Sequence, residues 1–204
     1  LPRLQRLASQ GVTTVEIKSG YGLDPASELK MLRAIARLAT LQPLEVVPTL
    51  LCAHAIPAEH ASSREAYVRC CIEEIVPEVA RAGLARFCDA FVEQGAFTVE
   101  ESRRILGRGR ELGLVPRLHA DQLSALGASE LAAELGAASA DHLECITASG
   151  IRALREGGVA AVLVPTSTLF LRQPAYAPGR ALWDAGVTVA LATNVNPGSA
   201  MTEN

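Results

Sequence analysis

The chain has 204 residues, enough to bury the core of one domain, and its 49% hydrophobic and 20% charged residues exclude a disordered polymer. A formal charge of −3 offers no basic footprint, so no nucleic-acid partner is expected. No apolar run has the length of a membrane helix, so no membrane partner is expected, and the first residues show no n-region, h-region and cleavage site.

Strand-like and helix-like segments alternate along the chain. From the amino end, an apolar strand at 12–18 leads to a helix at 25–41, and a strand at 46–54 to a helix at 64–82. Strand 86–91 precedes helix 98–112, strand 115–119 precedes helix 129–135, and strand 138–142 precedes helix 147–156. Strand 159–165, helix 177–185 and strand 187–193 complete the series. Several of the strands are rich in Val, Ile and Leu without alternation, as parallel strands covered on both faces should be. Thr98 with Glu101 fits a capping box, and Gly83, Gly113, Gly136, Gly157 and Gly186 stand where helices should stop.

The repeat of roughly 25–35 residues is the size of a βα unit. Seven such units suit a (β/α)₈ barrel lacking one strand, or a large doubly wound sheet. With no low-complexity linker, residues 1–204 are read as one domain. Leu1 is not a start methionine, and the chain reads as cut from something longer. Cys52, Cys70, Cys71, Cys88 and Cys145 are odd in number, lack a CxxC pair and have apolar neighbours, so reduced core cysteines of a cytoplasmic protein are expected.

In either α/β architecture the chemistry gathers at the carboxyl ends of the strands. Those ends carry Lys18-Ser-Gly-Tyr21-Gly22, His54, Asp89, His119-Ala-Asp121-Gln122, Asp141-His142, Thr166 and the stretch Asn194 to Ser199. Three of the four histidines lie at matching positions, which favours metal binding or proton transfer over three unrelated core imidazoles. The fourth, His60, falls in a polar loop and should be solvated. Imidazoles and carboxylates around one mouth are what a mononuclear hydrolytic centre requires. The turn at 194–199 either presents side chains and N–H groups to an anion or is a plain βα turn. Lys18-Ser-Gly-Tyr-Gly lacks the spacing of a phosphate loop, which argues against nucleotide binding. Asp89 is either a ligand or a loop pin, and the pin is the preferred reading.

Five ordered strings, Val15-Glu-Ile-Lys-Ser-Gly-Tyr-Gly-Leu23, Ala53-His-Ala-Ile-Pro57, His119-Ala-Asp-Gln122, Ser139-Ala-Asp-His-Leu143 and Asn194-Val-Asn-Pro-Gly-Ser199, span nearly the whole chain. Together they resemble the imidazolonepropionase family of the amidohydrolase superfamily. The resemblance implies a TIM-like (β/α)₈ amidohydrolase barrel represented by strands two to eight, without strand one and the small β domain. It implies metal-dependent hydrolysis of 4-imidazolone-5-propanoate to N-formimidoyl-L-glutamate in histidine degradation. It further implies one Zn²⁺ or Fe³⁺ ion, a small-molecule substrate and a homodimeric full-length form.

Carried over position by position, His119 and Asn194 fall at metal-binding positions, and His142 and Gln122 at catalytic ones. Tyr21, His54, Gln122, Asn196, Gly198 and Ser199 fall at substrate-binding ones, the last three in the turn that holds a carboxylate. Two departures stand out. The family's first-strand His-x-His pair has no counterpart, and Asn194 replaces an aspartate that binds metal and takes a proton. Gln122 stands where relatives carry Glu or Gln, and only Glu would shuttle protons. The chain alone is therefore expected to have little activity, and its unpaired outer strands to make it poorly soluble or oligomeric. The rival readings are another amidohydrolase acting on a cyclic amide or amidine, with a carboxylated Lys18 bridging two metals, and a non-catalytic ligand-binding barrel relative.

Overall fold

The structure, a computed structural model, describes residues 1–203. Its seven strands form one sheet in the order β1-β2-β3-β4-β5-β6-β7. The β1–β2, β2–β3, β4–β5, β5–β6 and β6–β7 pairs are parallel. A doubly wound sheet reverses its strand order at a switch point, whereas a barrel adds each strand beside the previous one. The sequential order therefore decides for the barrel. Among the described residues no helix is long and apolar enough to cross a membrane.

The backbone groups into two compact units, Leu1–Ala90 with Glu100–Val115, and Phe91–Val99 with the chain from Pro116 onward. The first holds α1 (Pro2–Ser9), β1 (Thr14–Lys18), α2 (Pro25–Ala39), β2 (Glu45–Ala53), α3 (Arg64–Cys70), α4 (Val76–Ala82), most of β3 (Phe87–Phe91) and most of α5 (Val99–Glu111). Leu50, Leu51, Cys52 and Ala53 are consecutive buried residues of β2, the pattern of a strand covered on both faces. α2 starts where Asp24 accepts a hydrogen bond from Ser27 N and Pro25 takes the first turn. It buries Leu29, Leu32 and Ile35, one apolar stripe.

Two features of this unit differ from expectation. The helix expected at 64–82 is interrupted by a π turn at Cys71–Ile75. Pro77 follows directly; it has no N–H to offer Glu73 O and its ring would crowd that carbonyl, so the chain widens there. α1 was not expected at all. Its Leu4 and Leu7 pack with Leu44 into a small cluster against Val12, Val15, Ile17 and Leu38.

The second unit holds β4 (Val115–Ala120), α6 (Ala128–Glu134), β5 (Ser139–His142), α7 (Ala148–Gly157), β6 (Ala160–Leu163), α8 (Pro165–Phe170), α9 (Gly179–Asp184) and β7 (Val189–Leu191). Thr147 caps α7 by accepting from Gly150 N, and Gly158, at φ +64°, closes it one residue beyond the expected stop at Gly157. The strand expected to reach residue 165 ends at Leu163 instead, because Pro165 cannot donate to a ladder and opens α8. All five cysteines are free thiols; Cys52, Cys71 and Cys88 are buried, and Cys70 and Cys145 are half-buried.

Candidate active site

In the first unit, the turn after β1 is built around a carboxylate from α2. Glu28 is fully buried and accepts hydrogen bonds from Gly20 N, Gly22 N and Leu23 N at 2.9–3.2 Å. A cradle of backbone N–H groups thus exists here, and the protein's own Glu28 carboxylate fills it. Gly20 is obligatory: its φ is +102°, and a Cβ there would lie 2.8 Å from Leu51 O. His54 follows β2, and its Nδ1 lies 2.8 Å from Gly20 O. The Tyr21 ring stands edge-on to it, 5.1 Å between centroids. Tyr21 and His54 are therefore brought together, with Tyr21 more than half exposed.

Asp89 of β3 is wholly buried and pairs with Lys18 Nζ at 2.5 Å, and Glu16 adds a second carboxylate 3.8 Å from that ammonium. Glu16 in turn accepts from Thr49 Oγ1 at 2.5 Å. Lys18 is thus held as an ammonium between two carboxylates, Asp89 and Glu16. His60, expected to be solvated, is half-buried and its ring tilts against the buried Tyr67 at 5.5 Å.

In the second unit, β4 and β5 set His119 opposite Asp141 in register. Their ligand atoms lie within 4.8 Å of each other, and the His119 ring is 5.4 Å from that of His142 and 5.8 Å from that of Phe91. Ser139 Oγ, which accepts from Arg117 Nε at 2.9 Å, donates to Asp141 Oδ1 at 2.7 Å. Within this unit, His119 and Asp141 each offer a metal-ligating atom, an imidazole nitrogen and a carboxylate oxygen. Asp141 was among the strand-end residues read from sequence but was given no role. Its signal was its place beside His142.

The turns that follow these strands are strained and sewn to each other. Asp121, His142 and Leu143 have φ of +48°, +83° and +72°, each costing on the order of 1–3 kcal/mol. Leu143 N donates to Ala120 O at 3.1 Å and Cys145 N to Asp121 O at 2.7 Å. Asp121 is buried, and its Oδ2 accepts from the amide and the hydroxyl of Ser129. Burial pushes the Asp121 carboxyl up, against those hydrogen bonds. Gln122 is buried beside it. The next residues are pinned by Glu93, whose Oε2 accepts from Leu123 N at 2.7 Å and from Ser124 N at 3.2 Å. Sequence reasoning missed Glu93; nothing local marks a carboxylate whose partners lie thirty positions away.

The turn after β7 is satisfied internally. Asn196 Oδ1 accepts from Gly198 N at 2.8 Å and Ser199 N at 2.9 Å, and Asn196 Nδ2 donates to Ser199 Oγ at 2.9 Å. Asn194, at φ +55°, donates from Nδ2 to the same hydroxyl at 2.9 Å. Asn194, Asn196, Gly198 and Ser199 are thus brought together, with the two N–H groups suited to a carboxylate already covered by Asn196.

No family model matches the chain. Over 204 residues it is 72% identical to a protein of Myxococcus xanthus (strain DK1622) named imidazolonepropionase, covering 100% of this chain and 48% of that one. The chain belongs to the imidazolonepropionase family. A second imidazolonepropionase, from Anaeromyxobacter dehalogenans (strain 2CP-1 / ATCC BAA-258), is 54% identical over 99% of this chain and 48% of its own length. The chain spans about half the length of the curated relatives it matches.

Solved structures share the fold at low identity. A triazine hydrolase variant superposes with a TM-score of 0.70 at 16% identity, over 93% of this chain and 46% of that one. A guanine deaminase from C. acetobutylicum with bound guanine gives 0.69 at 14%, over 95% and 49%. An adenosine deaminase from Xanthomonas campestris with bound Zn gives 0.62 at 18%, over 94% and 45%. The sequential parallel sheet and these neighbours bear out the TIM-like amidohydrolase barrel expected of an imidazolonepropionase sequence.

Proposed function

We propose that residues 1–204 form part of a metal-dependent barrel domain that hydrolyses 4-imidazolone-5-propanoate to N-formimidoyl-L-glutamate, breaking a cyclic amide C–N bond in histidine degradation. The observation that carries this is 72% identity, over the full length of the chain, to a protein named for that activity. The His119–Asp141 pair and the adjacent His142 ring support it.

One Zn²⁺ or Fe³⁺ ion is the cofactor this reading requires. An imidazole nitrogen and a carboxylate oxygen within 4.8 Å are donors both ions accept, so His119 and Asp141 fit. Asn194 is the weaker donor: neutral, and with its amide bonded to Ser199. When bound, the ion lowers the pKa of a water and polarises the ring carbonyl. The protein's own work is positioning and proton movement. His142 meets the reacting carbonyl or its leaving nitrogen, Gln122 hydrogen-bonds the substrate without taking a proton, and Tyr21 and His54 contact it. Asn196, Gly198 and Ser199 orient its carboxylate once Asn196 Oδ1 releases the two N–H groups. Binding energy at that remote carboxylate would be converted into alignment of the ring.

The test is a chimera in which this chain replaces the matching half of its Myxococcus relative. Turnover of imidazolone propionate with stoichiometric metal, both lost in His119→Ala, is the expected result. A folded chimera with no turnover would sink the proposal for this chain and favour a non-catalytic binding relative, the reading that the Asn194–Ser199 hydrogen bond supports. In that case Asn194→Asp, which restores a charged donor and a base, is the discriminating variant.

A further inference from the structure

Glu144 lies just beyond the β5 turn, and its side chain is 2% exposed. The left-handed His142 and Leu143 fold the backbone so that this carboxylate returns to the imidazole two residues before it, with Oε1 4.0 Å from His142 Nδ1. Thr168 of α8 donates its hydroxyl to the same Oε1 at 2.6 Å. Glu144 Oε2 is buried and has no hydrogen-bond partner among the described residues. Burial pushes this carboxyl up, and the Thr168 hydrogen bond opposes that. A carboxylate so placed has been taken out of water, spends one oxygen on a single hydroxyl and directs its field at one ring nitrogen.

We propose that Glu144 is a positioning residue for His142: it holds the neutral ring in the tautomer with the proton on Nδ1, leaving Nε2 as the acceptor, and Thr168 holds Glu144 in place. At 4.0 Å the separation is longer than a hydrogen bond, so the action is that of a fixed negative charge favouring the N–H that faces it. Histidine tautomers are set in this way by whatever the other nitrogen meets. A ring fixed so can take a proton at Nε2 without first rearranging and then, as the imidazolium, donate it to the carbonyl oxygen or leaving nitrogen that it meets. The inference deepens the proposed hydrolase reading and rests on it for the role of His142, but not for the tautomer itself.

Ring ¹⁵N NMR of the chain reads the tautomer directly. The expected result is a predominantly Nδ1–H ring for His142, a clear loss of that population in Glu144→Gln, a smaller loss in Thr168→Val and partial recovery in Glu144→Asp. In the active chimera, Glu144→Gln should lower kcat by about ten-fold or more while KM changes by less than about two-fold, the signature of an interaction made chiefly in the transition state. A folded Glu144→Gln chain with an unchanged ring pattern would overturn the proposal. If Glu144→Gln does not fold, an unchanged ring in Thr168→Val overturns it equally. A shifted tautomer in a chimera that never turns over substrate leaves the positioning role standing and removes the hydrolase reading.

Discussion

Glu28 shows how much a single buried carboxylate can organise. It accepts from three N–H groups of one loop and thereby fixes the turn from which Gly20 meets His54 and Tyr21 points outward. Removing it leaves the buried Gly20 donor unsatisfied, at a cost of about 1–3 kcal/mol, and strips the half-buried Gly22 and Leu23 donors of their partner at a smaller cost each. Glu28→Ala should therefore lower unfolding stability by about 2–3 kcal/mol in urea titration. In the same variant the cross-peaks between the Tyr21 and His54 rings should vanish from NMR spectra. A destabilisation below about 0.5 kcal/mol would mean that water replaces the carboxylate freely. From sequence, Glu28 reads only as an acid in the first turn of a helix. The placement of His119 and His142 at the ends of adjacent strands was legible because each imidazole closes an apolar run. Glu28, Glu93 and Glu144 were not, since a carboxylate's burial depends on what folds over it.

At the level of elements, the strands were legible because fully covered parallel strands need unbroken apolar runs, and β1 to β7 each fall within two residues or so of the expected limits. What escaped were elements whose cause is a proline. Pro165 turns a strand end into α8, and Pro77 forces the π turn before α4, neither of which shows in apolar periodicity. Helix starts were clearer. The Asp24 cap on α2 is exposed, and its hydrogen bonds from Ser27 hold the carboxyl below its usual value. A depressed acid stabilises the fold above its unfolded pKa of 3.8, and that contribution disappears as pH falls through the lower folded value. Asp24→Ala should thus cost about 1 kcal/mol at pH 7 and much less well below pH 3. Urea midpoints at both pH values measure this, and an equal cost at both would mean that the charge is irrelevant.

Over the whole molecule, the two outermost strands β1 and β7 each have a single strand neighbour in the sheet order. Near β7 the surface is apolar: Leu169, Phe170, Tyr176, Trp183 and Leu191 are each more than half exposed. Open strand edges beside apolar side chains invite association. At about 0.1 mM the chain should therefore sediment as concentration-dependent oligomers, and Leu191→Lys should reduce them. A monodisperse monomer over that range would contradict the expectation. The residues alone left a barrel and a doubly wound sheet equally open, because composition and run length report burial, not strand order. Hydrogen-bonded neighbours decide it, and those are a property of the fold.

The sequential sheet also has a temporal meaning. Each strand lies next to the one synthesised immediately before it, so on a ribosome its partner is already present when it emerges. The sheet can lengthen at one edge only, like a zipper closed from one end, and no strand has to be threaded between two that are already paired. The sticky surface at any instant is the most recent strand. Protection during synthesis therefore has to follow a moving front rather than a fixed patch of the surface.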